Sequence, residues 1–393
     1  MEGYLLEWLN LLVRWAHVVV GIAWIGASLY FIWLDNHLEA QRGPDADPLV
    51  AGELWAIHGG GFYNARKFKL GPAELPATLH WFKWEAYWTW MTGFALLVLM
   101  YYVQAELYLI DPGVMALSKP AAIGIGLAVL LGGYAIYEGL CRSPLARNDT
   151  LLGIVLLLLL AAAAWGLTRI FSGRGAFIHY GAILGTIMAA NVLHIIIPGQ
   201  RRMVEAIREG RAPDPKDGLV GKQRSVHNTY FTLPVVFVMI SNHYATVFGN
   251  RWAWLALVAM TIAGALIRVW FVMRHKGRAR AWIWIAGLLC ILLTAYLVSP
   301  ARQAASAKPV DFAAVKQVID TRCVSCHADK PSFPGMAEAP KGVKLDTAER
   351  IRAQALLVHQ QSVLAKAMPP GNLTAMTEEE RMLLDRWFRA GGR

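Results

Sequence analysis

The sequence predicts an all-α membrane protein: a polytopic bundle of eight transmembrane helices followed by a small soluble domain. Three observations carry this. Of the 393 residues, 56 % are hydrophobic and only 17 % charged, against about 25 % charged in an ordinary soluble chain. Eight mostly apolar stretches lie near residues 9–33, 84–104, 120–141, 150–171, 176–198, 229–248, 252–273 and 281–299; about 20 such residues cross a ~30 Å hydrocarbon core. After Pro300 the chain turns polar and stays so. The same balance excludes a disordered chain and a collagen-like fibre. A net charge of +11 invites a nucleic-acid reading, but the basic residues sit between apolar spans, so lipid and not nucleic acid is the expected partner.

The first stretch is too long for a signal peptide, begins with Glu2 and Glu7, and lacks a small-residue cleavage site. The fourth, with Leu156 to Leu160 and Ala161 to Ala164, is the plainest span. The loops between spans are unequal in charge. Seven Lys and Arg fall between residues 199 and 228 and four between 274 and 280, whereas the loops after spans 2, 4 and 6 hold only Lys119, Arg174 and Arg251. The positive-inside rule then puts the N-terminus outside, and eight spans return the C-terminus outside as well. This predicts a multi-pass protein of a bacterial inner membrane with both termini periplasmic. The division is 1–300 transmembrane domain, 301–310 linker and 311–393 soluble domain. In the last, helices are expected over 311–322 and 377–389, the second opened by a Thr377–Glu380 capping box and closed by Gly391-Gly392.

Residues 323–327 read Cys-Val-Ser-Cys-His, the C-x-x-C-H pattern of haem c attachment. Cys323 and Cys326 form thioethers to the haem vinyl groups and His327 becomes the proximal iron ligand. The competing reading is a zinc knuckle, but no second C-x-x-C completes a tetrahedron, and haem c is attached on the side where the charge count places this domain. Ala367-Met368-Pro369-Pro370-Gly371 resembles the ligand loop of small class I cytochromes c, so Met368 is the expected second axial ligand, with Met336 and Met376 read as packing or helix-start residues. A thioether ligand raises the potential of the iron, which suits an electron acceptor. Cys141 and Cys290 are lone membrane cysteines and read as packing.

Ionisable residues within spans are functional by default. His17, His179 and His243 are expected near the outer ends of their spans, and His80, His194 and His227 near the cytoplasmic ends. His179 and His194 are fifteen residues apart, which on a helix is ~22 Å with about 60° of rotation. That spacing resembles di-haem membrane cytochromes b. Arg14-Trp15-Ala16-His17 with Trp24-Ile25-Gly26 resembles the first helix of small haem-binding membrane proteins of the copper-resistance and protoporphyrinogen-oxidase type. Thus His17, His179, His194 and His243 are candidate ligands for one or two haem b groups, and the competing readings are a substrate pocket, a proton path or packing. His58-Gly59-Gly60-Gly61 reads either as a backbone nest for an anion or as a flexible loop.

The text over Trp55–Trp90 and Arg224–Tyr244, with the C-terminal C-x-x-C-H domain, resembles the bacterial membrane-bound urate hydroxylases (urate oxidases) of the PuuD type along essentially the whole chain. The resemblance implies oxidation of urate to 5-hydroxyisourate, with the electrons passed to the attached haem c and on to a terminal oxidase or soluble cytochrome c, without hydrogen peroxide. The alternative is a non-catalytic membrane-anchored cytochrome c serving a quinol or dehydrogenase partner. If urate is the substrate, a planar monoanion needs cationic donors, aromatic walls and a base. The cytoplasmic side offers most of these: His227 or His80 as base, with Arg224 or Lys67 steering the anion.

Overall fold

The structure, a computed structural model, describes residues 2–299, 310–364 and 366–392. It is about 69 % helix and 5 % strand, so the helical class holds for the bulk of the chain. The predicted linker 301–310 lies, except for Val310, outside the described residues.

A helix stands at each of the eight expected places: α1 (Glu2–His37), α2 (Trp84–Leu97), α4 (Lys119–Arg142), α5 (Asp149–Ile170), α6 (Gly173–Ala190), α8 (Pro215–Ser241), α10 (Ala253–His275) and α11 (Ala281–Leu297). One-turn helices α3 (Ala105–Tyr108) and α9 (Ala245–Phe248) fill two connections, and α7 (Ile197–Arg208) prolongs α6. Five segments among the described residues are long and apolar enough to cross a membrane: Tyr4–His37, Lys119–Arg142, Asp149–Ile170, Gly173–Arg208 and Ala253–His275. The other three are not. α2 is short and continues into a π turn at Val98–Tyr102, the first half of α8 carries Lys216, Asp217, Lys222 and Arg224, and α11 has 17 residues. The expected span 229–248 is also shifted. α8 stops at Ser241, whose hydroxyl bonds Val238 O at 2.6 Å, and residues 242–244 turn instead of continuing.

α6 is the axis of the bundle, packed on α4, α5 and α8 with most of its residues buried. Small residues let the helices approach, as lipid-embedded helices require when apolar burial gives them no net drive. At Gly126 a Cβ would lie 2.7 Å from His179 Nε2. The outer faces of α1, α5 and α11 expose Leu, Ile and Trp side chains, while Arg224, Asn191, Asn228 and His179 are buried. Apolar outside and polar inside is the arrangement a bilayer favours.

The loop after α1 is not irregular. β1 (Val50–His58) pairs antiparallel with β2 (Gly61–Phe68), with His58 opposite Gly61. Gly59 and Gly60, at φ 56° and 83°, make the two-residue turn. Two consecutive positive φ values favour glycine and match the twist of a hairpin, so these glycines serve the turn and not an anion nest.

The C-terminal region has its own core of Val315, Ile319, Ile351, Leu384 and Trp387. α12 (Phe312–Arg322) and α15 (Glu378–Arg389) start within a residue of expectation. Both halves of the capping box form: Glu380 N donates to Thr377 Oγ1 at 3.2 Å, and Thr377 N to Glu380 Oε2 at 2.7 Å. Short helices α13 (Ala348–Ala353) and α14 (Ala355–Val358) lie between them. The Met368–Asn372 loop rests on α3 and its exit: at Gly371, φ 55°, a Cβ would meet Ile110 O at 2.7 Å and Leu107 O at 2.9 Å.

Candidate functional site

At the end of the bundle away from the C-terminal region, three helices converge on a buried polar network. α4 supplies Tyr137 and Glu138, the π turn Asn191–Ile196 supplies Asn191, and α8 supplies Arg224, His227 and Asn228. Asn191 Nδ2 donates to Tyr137 Oη and to Asn228 Oδ1, both at 2.9 Å, and Asn228 Nδ2 donates to Met188 O at 3.0 Å. Tyr137 Oη is hydrogen-bonded to His227 Nδ1 at 2.8 Å. Since Tyr137 accepts from Asn191, it donates to Nδ1, which leaves the His227 proton on Nε2. Arg224 lies 5.1 Å over the Tyr137 ring and pairs with Glu138 Oε2 at 2.8 Å. The second Glu138 oxygen takes the exposed Arg142 at 2.6 Å. The π turn rotates Asn191 inward, and such turns often accompany functional sites. The network floors a cleft of about 1020 Å³ that Glu138, Cys141, His194, Arg202, Arg211 and Arg224 help to line.

Of the four expected catalytic residues, the structure brings His227 and Arg224 together. His80 stacks edge-on to Phe82 at the surface, and Lys67 on β2 pairs with Asp35 at 2.6 Å. Neither joins the network. Tyr137, Glu138 and Asn191 were not expected. A lone acid at the end of an apolar span was the available signal for Glu138.

The expected haem b ligands are dispersed. His17 Nδ1 faces Thr89 O and Thr92 Oγ1, both at 3.1 Å. His243 is exposed in the turn after α8. His194 Nδ1 meets Tyr134 Oη at 2.9 Å. His179 is fully buried, with Nδ1 on Gly175 O at 2.8 Å and Nε2 on Tyr102 Oη at 3.2 Å. His179 and His194 do face one helix, α4, as their spacing suggested. Gly126 faces His179 Nε2 closely enough that a Cβ there would come within 2.7 Å of it.

The C-x-x-C-H segment follows α12 directly, with His327 N bonded to Cys323 O at 2.9 Å. His327 Nδ1 lies 2.9 Å from Val343 O, which fixes the tautomer with Nε2 free. A backbone carbonyl on the far ring nitrogen is what orients an imidazole that binds a metal through the other. Cys323 and Cys326 form no disulfide. Burial pushes the Cys323 thiol up to about 12. Among the described residues, no three His, Cys, Asp or Glu side chains gather as a metal site. Met376 is 3 % exposed in the core, whereas Met368 is half-buried in the loop. Arg381 holds that loop, with Nη1 on Met368 O at 2.9 Å and Nη2 on Asn372 Oδ1 at 3.3 Å. The donor set therefore fits a covalently attached haem.

The fold and its sites define a class: a helical membrane-type bundle with a buried ionic network at one end and a C-x-x-C-H unit against the other. The chain belongs to the urate oxidase family, for the urate oxidase N-terminal family model matches residues 3–299. This makes it an oxidoreductase of urate-oxidising type. The match ends with the bundle, and the C-x-x-C-H unit lies beyond it. No curated relative and no solved structure gives a significant match.

Proposed function

We propose that the chain oxidises urate within an eight-span bundle of a bacterial inner membrane and delivers the electrons to a haem c held by its own C-terminal domain, 311–393, on the periplasmic side. The observation that carries this reading is a urate oxidase bundle continuous in one chain with a C-x-x-C-H unit whose His327 tautomer is already set. The balance is urate monoanion plus water giving 5-hydroxyisourate, one proton and two electrons. Bound haem c supplies a one-electron acceptor, used twice. Cys323 and Cys326 would anchor it, and His327 Nε2 and the Met368 thioether would hold its iron. Arg381 fixes the loop that carries Met368, and Gly371 seats that loop on the bundle.

In the bundle, His227 is the base. It takes up the proton at Nδ1 through the Tyr137 hydroxyl, which Asn191 orients. Glu138 keeps Arg224 in place, and Arg224 polarises Tyr137 from its ring face. No step is routed through haem b. A terminal oxidase or a soluble cytochrome c would be the acceptor beyond the C-terminal domain.

Two measurements follow. Membranes carrying the protein should consume urate without releasing hydrogen peroxide, and cyanide at the terminal oxidase should stop them; peroxide in proportion to urate consumed overturns the reading. Met368→Ala should keep haem c attached but lower its potential by roughly 0.1 V or more, since the axial ligand is a main lever on haem potential, and remove the sulfur-to-iron band. An unchanged band moves the ligand to another methionine.

A further inference from the structure

Arg268 on α10 is 6 % exposed, yet its Nε and Nη2 are buried with no hydrogen-bond partner, and no carboxylate among the described residues pairs with it. A buried guanidinium without a counter-charge costs several kcal/mol. Arg224, the other buried arginine of the bundle, has Glu138. Arg224 Nε is also buried without a partner, but the Arg224 charge is neutralised by Glu138, whereas among the described residues no carboxylate answers Arg268.

Its surroundings suit an anion from outside the protein. Tyr230 on α8 is the titratable group that acts on it, and Tyr230 stands three residues from His227, on the same side of that helix. Two turns along α10, His275 has a buried Nδ1 that is also without a partner. The His275 ring is 5.0 Å from that of His37 at the end of α1. His37 in turn borders a cleft of about 370 Å³ between α1 and β1, lined also by Glu39, Glu53, Arg42 and Trp55. The rim of that cleft is thus joined through His37 to His275, which lies two turns along α10 from Arg268. His37 Nδ1 is held on Trp33 O at 2.8 Å, so its Nε2 faces outward from the helix. Arg224 sits instead under the larger cleft.

We propose that Arg268 is the anion receptor of the bundle, that it binds the urate monoanion through Nε and Nη2, and that His37 and His275 form its entry. A planar anion with adjacent acceptors on one edge matches the two parallel donors of a guanidinium. This rests on the reading of the chain as a urate oxidase and assigns it the anchoring residue that Arg224, already paired, does not supply.

The test is equilibrium dialysis of radiolabelled urate against the full-length protein, with haem c reduced beforehand so that no electrons are transferred. Arg268→Gln should weaken urate binding about 30-fold or more, the loss typical of a buried charged hydrogen-bonding partner. Arg268→Lys should recover part of it. The haem c spectrum should not change. Without urate, Arg268→Gln should melt no lower than the parent, because it removes an unanswered buried charge, whereas a merely structural arginine would leave a less stable protein. Urate binding unchanged in Arg268→Gln overturns the proposal. So does loss of co-purified anionic phospholipid with urate binding intact, which makes the occupant a lipid headgroup. If the parent neither binds urate nor is reduced by it, the functional reading itself fails, an outcome distinct from both.

Discussion

Glu138→Gln should destabilise the bundle by about 3–5 kcal/mol, the range for breaking a buried ion pair by removing one partner. The side chain of Arg224 is 3 % exposed and that of Glu138 is 12 % exposed. Neutralising the acid leaves the guanidinium charge buried against the Tyr137 ring with only neutral acceptors near it, among them Asn191 Oδ1 at 3.5 Å from Nη1. Arg142 loses its partner too, but it is largely exposed and its share is small. An Arg224 without its counter-charge no longer stays over the Tyr137 ring, which loosens Tyr137 and with it the bond to His227. The double variant Glu138→Leu with Arg224→Met should recover most of the stability, because hydrophobic replacement of a whole buried pair is often neutral or stabilising. It should not recover urate turnover. Thermal unfolding in detergent followed by tryptophan fluorescence separates the three proteins. Equal melting of parent and Glu138→Gln would mean that the pair does not hold the network.

Cys323→Ser combined with Cys326→Ser should abolish urate-driven electron transfer to the respiratory chain. The two thiols lie one turn apart after α12, and His327 N bonds Cys323 O, so one turn of backbone sets all three donors. Without thioethers the haem has only axial bonds to hold it, and the small core of Val315, Ile319, Leu384 and Trp387 offers no second anchor. Turnover with a terminal oxidase should fall to background, while radiolabelled urate still binds the bundle. Turnover that persists in the double serine variant would show that electrons leave the bundle by another route. His327→Ala is milder in attachment and equal in effect: covalent haem stays, and its proximal ligand is gone.

How far the sequence carries these sites depends on the range of the contacts that build them. Cys323 to His327 and Thr377 to Glu380 are local patterns, and the structure forms them where they were read. The hairpin was legible as well: residues 50–58 and 61–68 flank Gly59-Gly60, a two-residue turn signal. The same glycines also fit an anion nest or a flexible loop, and only the cross-strand pairing of 50–58 with 61–68 decides for the hairpin. The Arg224–Glu138 pair bridges 86 positions between two helices, and no spacing rule encodes that. Arg268 was silent for the opposite reason. In the sequence it is one cation near the end of an apolar span, like the snorkelling arginines of many membrane helices, and only its packing shows that it turns inward with nothing to meet. His179 and His194 share a face as their spacing suggests, but their partners, Tyr102 for one and Tyr134 for the other, lie on segments far along the chain that no spacing rule pairs with them.

The most direct test of the whole account is a spectrum. Purified full-length protein, free of oxygen and of any other acceptor, is mixed with urate, and the reduced α band of haem c is followed. The account predicts that the band appears in full with one urate consumed per two haems c, since each urate yields two electrons and each haem takes one. If the band stays absent with urate and rises only when a quinol or a separate dehydrogenase is added, the bundle is an anchor for a cytochrome, and urate is not oxidised in this chain.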